Sequence, residues 1–257
     1  MRNKQVAVAV LMVAASILPN FAFAALGARV NASAEISAKV PAGANFCTNL
    51  NTYAARITEN LTKGSGNLEN KQGENKQKLQ ERQVSRAEKL SETRDTGDAD
   101  RQAIYAKLMA NASTTEAHKQ AVIQFQATVE AAVTTRRAAV DAAIKAYWDG
   151  MNSALSGRQA SIEAARTKFI TAINAAISTA QSSCASNADA GMVKAQFRTS
   201  VEAARTQFAT DRKAIDKYGP QVKALVQTRN AAVRKAFDAF HATMEQARIT
   251  LKAALKA

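Results

Sequence analysis

The chain has few residues of the types that carry out chemistry, and their spacing points away from catalysis. Its two histidines, His118 and His241, each lack a second histidine four residues away that could bind the same metal ion. The one glycine-rich stretch, Gly64–Gly73, lacks the G-x-x-x-x-G-K-[ST] pattern that cradles phosphate groups. A glycine-flanked nucleophile turn is also missing. We therefore expect no enzymatic activity, no metal site and no cofactor, and we interpret both histidines as surface residues.

Cys47 and Cys184 are the two cysteines of the chain. A cysteine pair in an exported protein favours a disulfide. A bond between them would close a loop of about 138 residues and stabilise the fold by roughly 5 kcal/mol in the chain-entropy model. Two free thiols, or a bond between two chains, are the alternatives that the sequence leaves open. We predict the Cys47–Cys184 bond.

Two arginines occupy apolar positions of helical patterns. Arg136 and Arg229 each lie three residues after one valine and four residues before the next. A buried arginine needs a carboxylate partner, and Glu163 or Glu202 is available for that role. The alternative, which we favour, is that each arginine lies at the edge of the apolar stripe and reaches water.

Related sequence segments make up much of the chain. SIEAARTKFITAINAAI at Ser161–Ile177 returns as SVEAARTQFATDRKAI at Ser200–Ile215, and TRRAAVDAAIKAY at Thr135–Tyr147 returns as TRNAAVRKAFDAF at Thr228–Phe240. Both duplication and convergence of alanine-rich heptads can produce such similarity. In the first pair we predict that the phenylalanines face inward and that each glutamate pairs with the arginine three residues later. The repeated segment is thus interpreted as a packing unit.

Apolar residues recur every three or four positions, and no window alternates with period two, so the pattern predicts helices. We expect an all-α fold: an elongated antiparallel bundle of long alanine-rich amphipathic helices with coiled-coil-like packing. Individual helices should have some 25–35 residues and be about 40–50 Å long. Trp148, beside Tyr147, is interpreted as a core residue rather than a binding platform.

The sequence also predicts where the helices begin and end. The predicted boundaries are a start near Asn45–Thr48, an end near Lys63, an interruption at Gly64–Asn75, a turn at Thr96–Asp100, a capping box at Ser113–Glu116, the end of a helical block at Asp149-Gly150 and a stop at Gly219-Pro220.

Residues 1–24 are predicted to be a cleaved secretory signal peptide. Arg2 and Lys4 precede an apolar run, and Ala22-Phe23-Ala24 is a small-x-small cleavage site. The apolar run, about 13 residues, is shorter than the roughly 18 that a spanning helix needs. We expect a flexible lead-in at 25–44 and a single helical-bundle domain at 45–257. The protein should be exported to the periplasm, the cell surface or the extracellular space.

Basic residues exceed acidic ones, with 35 Lys+Arg against 21 Asp+Glu and a net charge of +14. From Val193 onward there are 13 basic and 5 acidic residues. A positive field of this kind attracts nucleic acid, acidic wall polymers or anionic lipid headgroups. Single-strand stacking has little support, because aromatic residues make up only 5 % and are not interleaved with the basic ones. The candidate face for an anionic partner comprises Arg212, Lys213, Arg234, Lys235, Arg248, Lys252 and Lys256.

Four features of the sequence occur together: the predicted signal, Asn45-Phe46-Cys47, Arg136-Arg137-Ala-Ala-Val-Asp141 and Cys184. In this combination the chain resembles a group of uncharacterised exported all-helical proteins of small-genome bacteria. That resemblance covers most of the mature chain and brings no known activity. In general character the chain is also similar to the Skp-type periplasmic chaperones, which are exported, basic and built of long helices. We therefore expect a non-catalytic structural or interaction protein of the cell envelope or exterior. A holdase chaperone is the alternative, and an enzyme of unrecognised type is a minor third.

Overall fold

A computed structural model describes residues 45–112, 115–215 and 218–256 of the chain. These residues form four helices: α1 (Phe46–Asn111), α2 (Glu116–Ala185), α3 (Ala190–Ala214) and α4 (Tyr218–Ala254). No strand occurs in the ranges described, which confirms the all-α prediction. The predicted signal peptide and lead-in, residues 1–44, lie outside the described residues.

Helices α1 and α2 form a long antiparallel hairpin. Their lengths of 66 and 70 residues correspond to about 100 Å each. Contacts join opposite ends of the two helices: Cys47 is bonded to Cys184, and the Tyr105 hydroxyl donates to Glu130 at 3.0 Å. The predicted length of some 25–35 residues is therefore wrong for these two helices, whereas α3 has 25 residues and α4 has 37.

Helices α3 and α4 follow one another along α2, and both run antiparallel to it. Phe208 of α3 stacks on Phe169 in the second half of α2, with ring centroids 5.0 Å apart. Phe240 of α4 lies beside Arg136 in the first half of α2. The two shorter helices thus form one interrupted third layer against the hairpin. This arrangement confirms the elongated antiparallel bundle.

Four apolar clusters lie between the helices. The largest joins the start of α1, the second half of α2 and α3, and it includes Phe46 and Ile173, which are fully buried. Three smaller clusters continue along α1, α2 and α4, centred on Met151, on Val133 and on Val122. Tyr147 and Trp148 are 2 % and 5 % exposed within the cluster at Met151, which confirms Trp148 as a core residue.

The predicted interruption at Gly64–Asn75 is wrong, because α1 continues through it. Leu61 and Leu79 flank the glycines and are both buried. They are 18 residues apart, which is five full turns at 3.6 residues per turn, so only an unbroken helix keeps both on the inner face. Each glycine costs up to about 1 kcal/mol against alanine. That cost is smaller than the free energy that would be lost if a break turned Leu61 or Leu79 out of the core.

The turn at Thr96–Asp100 and the block end at Asp149-Gly150 are also wrong predictions. Within α1, Asp98 accepts hydrogen bonds from Arg137 of α2, which holds this segment against the hairpin. Within α2, Gly150 lies where α4 approaches, since a Cβ there would be 2.5 Å from Leu225 Cδ2. The glycine permits close packing and does not end the helix.

Two predicted helix starts are confirmed, and one predicted stop is misplaced. Helix α1 begins at Phe46. Helix α3 ends at Ala214, before the predicted stop at Gly219-Pro220, and α4 begins at Tyr218 with Pro220 in its first turn, where a missing N–H costs nothing. Helix α2 begins at Glu116, the last residue of the predicted capping box. Its capping hydroxyl belongs to Thr115, which accepts from the backbone N–H of His118 at 3.2 Å, and Ser113 lies outside the described residues.

Candidate functional site

The two cysteines form a disulfide within the chain, as predicted. Cys47 lies in the first turn of α1 and Cys184 near the last residue of α2, with Cα atoms 5.5 Å apart. Both pack against the largest apolar cluster. The bond therefore closes the open end of the α1–α2 hairpin, beside the bundle's largest core.

Arg136 and Arg229 contact aromatic rings rather than carboxylates. The Arg136 guanidinium carbon lies 4.2 Å from the ring centroid of Phe240, and that of Arg229 lies 4.8 Å from the ring centroid of Tyr147. Both arginines are half-buried, in agreement with an edge position. Burial lowers the pKa of each guanidinium. Positive charge over an aromatic face is attracted by the ring quadrupole, so each contact fastens α4 to α2.

The suggested carboxylate partners of these arginines are wrong. Glu163 pairs with Arg166 at 2.9 Å, and Glu202 pairs with Arg205 at 3.5 Å. Both pairs join residues three apart on one helix, which confirms the flank pairing predicted for the repeated segments. The carboxylates lie farther along the bundle, where α3 and not α4 covers α2.

The arginine–aromatic contacts are reciprocal. In the echoed segments of α2 and α4, Arg136 corresponds to Arg229 and Tyr147 corresponds to Phe240. Each arginine therefore contacts the aromatic residue of the other copy. This is the pattern of an isologous contact, in which two copies of one surface meet about a local two-fold axis. The second repeat behaves similarly, because Phe169 and Phe208 are equivalent positions and stack on each other.

A network of ion pairs joins α1 to α2 near Arg137, and the sequence did not reveal it. Arg94 Nη2 lies 2.6 Å from Asp141 Oδ1, and Arg137 Nη1 lies 3.0 Å from Asp98 Oδ2. The hydrogen bond from Arg137 is the main cause that lowers the pKa of Asp98 to about 2. The alternating charges of α1 indicated that this helix could form ion pairs, but they do not identify the partners on α2. We call this network of ion pairs the clamp, because it joins α1 to α2.

The predicted basic residues are distributed over two helices. Arg212 and Lys213 are exposed at the end of α3, Arg234, Lys235, Arg248 and Lys252 are exposed on α4, and Lys256 is exposed two residues after α4 ends. Arg234 and Lys252 are 18 residues apart, so they share one side of α4, and Arg248 precedes Lys252 by one turn. Lys235 is turned by about 100° from Arg234 around the helix axis. The structure thus unites three of the seven along one side of α4, with Lys256 just beyond the end of the helix.

Most of these cations are not neutralised by a neighbour. Arg248 pairs with Glu245 at 3.3 Å. No ion pair within the described ranges involves Arg234, Lys252 or Lys256. The exposed Lys223 lies three turns before Arg234 and extends the same side of the helix. Sequence reasoning omitted it, although its spacing from Arg234 was visible.

Other kinds of site have less to support them in the part of the chain that the structure covers. His118 lies in the first turn of α2, and His241 is exposed on α4 beside the rings of Phe237 and Phe240. Among the described residues, no three His, Cys, Asp or Glu side chains cluster as metal ligands would. None of the described helices combines the length and apolar character needed to cross a bilayer.

These features define a disulfide-closed, all-helical bundle with an exposed row of cations on α4. Comparison with protein-family models, with curated proteins and with solved structures found no match to the chain.

Proposed function

We propose that this chain is a non-catalytic exported protein with a structural or interaction role at the cell envelope or outside the cell. Its basic C-terminal face binds an anionic polymer or surface. The observation that carries the proposal is the exposed row of Arg234, Arg248 and Lys252 along one side of α4, with the exposed Lys256 just beyond the end of the helix.

The spacing of this row suits closely spaced anions. Arg248 and Lys252 are one turn apart, which is about 6 Å along the helix. Arg234 extends the row to about 27 Å, and Lys256 follows just after the end of α4. Each bound cation releases counterions from a polyanion, so affinity should fall steeply with salt. Phosphate or carboxylate groups would serve equally, because the row offers charge and no base-reading geometry.

Export is supported by the disulfide together with the signal-like residues 1–24. Disulfides persist in oxidising compartments and are rare where thiols are kept reduced. The same compartments contain anionic wall polymers and lipid surfaces, which are the partners that the basic face fits.

The holdase alternative has less support. A holdase needs apolar surface that is open to an unfolded client. In the described residues the large apolar side chains are mostly taken up in the four clusters between helices. Among the described residues, no cluster of metal-ligating side chains favours the minor enzyme alternative.

The test is retention of the chain from Ala25 onward on immobilised polyphosphate and duplex DNA over a salt gradient. The variant Arg248→Gln/Lys252→Gln/Lys256→Gln should elute much earlier. On DNA, its slope of log affinity against log salt should shrink by up to about 3. The matched control is Lys71→Gln/Lys76→Gln/Lys89→Gln, which removes the same charge from exposed positions of α1. Equal losses in both variants, or retention that ignores salt, would contradict the proposal.

A further inference from the structure

Exposed apolar side chains are concentrated at one end of the bundle. Six large apolar residues are exposed in the described ranges, and four of them, Ile104, Ile123, Ile249 and Leu255, lie near the hairpin turn between α1 and α2. We call these four the apolar girdle.

Core contacts place three girdle residues beside the cluster at this end and Ile104 beside the next cluster along the bundle. Ala112, Val122 and Leu251 form one cluster, which joins α1, α2 and α4 at this end. Ile123 follows Val122, while Ile249 and Leu255 flank Leu251 in sequence. Ile104 precedes Tyr105, a member of the adjacent cluster. The remaining two exposed apolar residues, Val84 and Met192, belong to the middle of α1 and to the start of α3.

The girdle residues face outward from three different helices. Ile249 is 53 % exposed and lies two residues from the buried Leu251, which turns it about 200° away from the core. Ile123 is 46 % exposed and Ile104 is 41 % exposed, and each is turned about 100° from its buried neighbour. A partner protein with a single flat face could not cover all three. A fluid apolar phase that surrounds the end could.

Cations occupy the same end. Ile249 precedes Lys252 by three residues, so both share one side of α4, and Lys256 lies two residues beyond the end of that helix. Arg248 adjoins them, and Lys107 is exposed on α1 between Ile104 and the turn. A linear polymer would use the charges and leave the isoleucines in water. An anionic lipid surface uses both, because phosphates meet the cations while the apolar side chains enter the headgroup boundary.

We propose that this end of the bundle docks end-on into an anionic lipid surface, with the apolar girdle at the headgroup boundary and Lys252 and Lys256 at lipid phosphates. The inference rests on the proposed function and identifies its anionic surface as lipid. Binding of this kind is interfacial, and its strength depends on both apolar area and anionic charge.

The test is co-sedimentation of the chain from Ala25 onward with two kinds of vesicle. One is an equal mixture of phosphatidylglycerol and phosphatidylcholine, and the other is phosphatidylcholine alone. We expect salt-sensitive binding to the mixed vesicles and little binding to the neutral ones. Ile123→Ser and Ile249→Ser should each weaken binding to mixed vesicles by about fivefold, because each loses a buried apolar side chain. Both sites are exposed in the free protein, so the fold should be retained.

Met192→Ser is the matched control, because Met192 is 73 % exposed and lies on α3, away from the girdle. It should bind mixed vesicles as the wild type does. Retention of the isoleucine variants on polyphosphate should also be unchanged. If Ile123→Ser and Ile249→Ser bind mixed vesicles like the wild type while polyphosphate is still retained, the lipid inference is overturned and the proposed polymer binding stands. If neither vesicles nor polyanions are bound, both proposals fail.

Discussion

The guanidinium of Arg136 lies over the ring of Phe240, 4.2 Å from its centroid, and the echoed arginine makes the same kind of contact in the opposite direction. Arg229 lies over Tyr147, the residue that corresponds to Phe240. The two similar segments of α2 and α4 thus contact each other through two equivalent arginine–aromatic pairs. The repetition in the sequence therefore has a direct counterpart in how α2 and α4 pack.

We predict that the two contacts contribute similarly to stability. A double-mutant cycle of Arg136→Met and Phe240→Leu should give a coupling of about 1 kcal/mol, the range for a partly desolvated cation–π contact. The cycle of Arg229→Met and Tyr147→Leu should give a similar value, and the two should add, since they are about 16 Å apart along α2. Urea unfolding followed by circular dichroism measures both.

Arg234→Met, on the exposed side of α4, is the control for this cycle and should change stability little. Arg136→Ala should cost well under the 3–5 kcal/mol that results from breaking a buried ion pair. A loss in that higher range would mean that Arg136 has a charged partner and that the aromatic contact is secondary.

Glycine substitutions should separate open positions from a close contact. A Cβ at Gly157 would meet nothing within 4 Å, so Gly157→Ala should stabilise the bundle by up to about 1 kcal/mol. Gly150→Ala should gain less, because its Cβ would meet the end of the Leu225 side chain. Thermal unfolding of the two variants provides the comparison. Equal stabilisation of both would show that α4 does not pack closely at Gly150.

The sequence predicted the helices better than their interruptions. Apolar spacing reports which face of a helix is buried, and the S-x-x-E pattern correctly indicated a helix start near Glu116. Glycine content reports only a local cost, and packing on both sides of Gly64–Asn75 outweighs it. The sequence alone does not show whether the glycine cost or the packing is larger, because the residues that pack against Leu61 and Leu79 are distant in the chain.

The arginine contacts were partly accessible from sequence. Spacing placed Arg136 and Arg229 on the apolar stripes, but it did not say which helix lay opposite. If the two echoed segments are paired antiparallel about their common centre, Arg136 meets Phe240 and Arg229 meets Tyr147. The repeat thus contained the register in which α2 and α4 pair. What was missing was that these two copies are neighbours.

Acid should weaken the clamp between α1 and α2. The pKa of Asp98 is lowered to about 2 from 3.8, chiefly by the hydrogen bond from Arg137. A lowered folded-state pKa gives stability that is present above about pH 4 and is lost as the pH falls towards about 2. Asp98→Asn should therefore lower the melting temperature at neutral pH and make little difference near pH 2. Asp95→Asn, at an exposed neighbour on α1, is the control and should leave the melting temperature at neutral pH close to that of the wild type. A constant gap between wild type and Asp98→Asn across this range would count against the clamp.

The Cys47–Cys184 bond should be the largest single contribution that a substitution can remove. It joins residues 137 apart, and a loop of that size corresponds to roughly 5 kcal/mol in the chain-entropy model. Cys47→Ala/Cys184→Ala should unfold at a lower urea concentration than the oxidised wild type. Wild type treated with reductant should match the variant, because both lack the cross-link. If the reduced and oxidised proteins unfolded at the same urea concentration, the bond would not stabilise the hairpin. If the protein isolated from its own cells contained two thiols open to alkylation, the bond would be absent there, and the support that it lends to the proposed export would be lost.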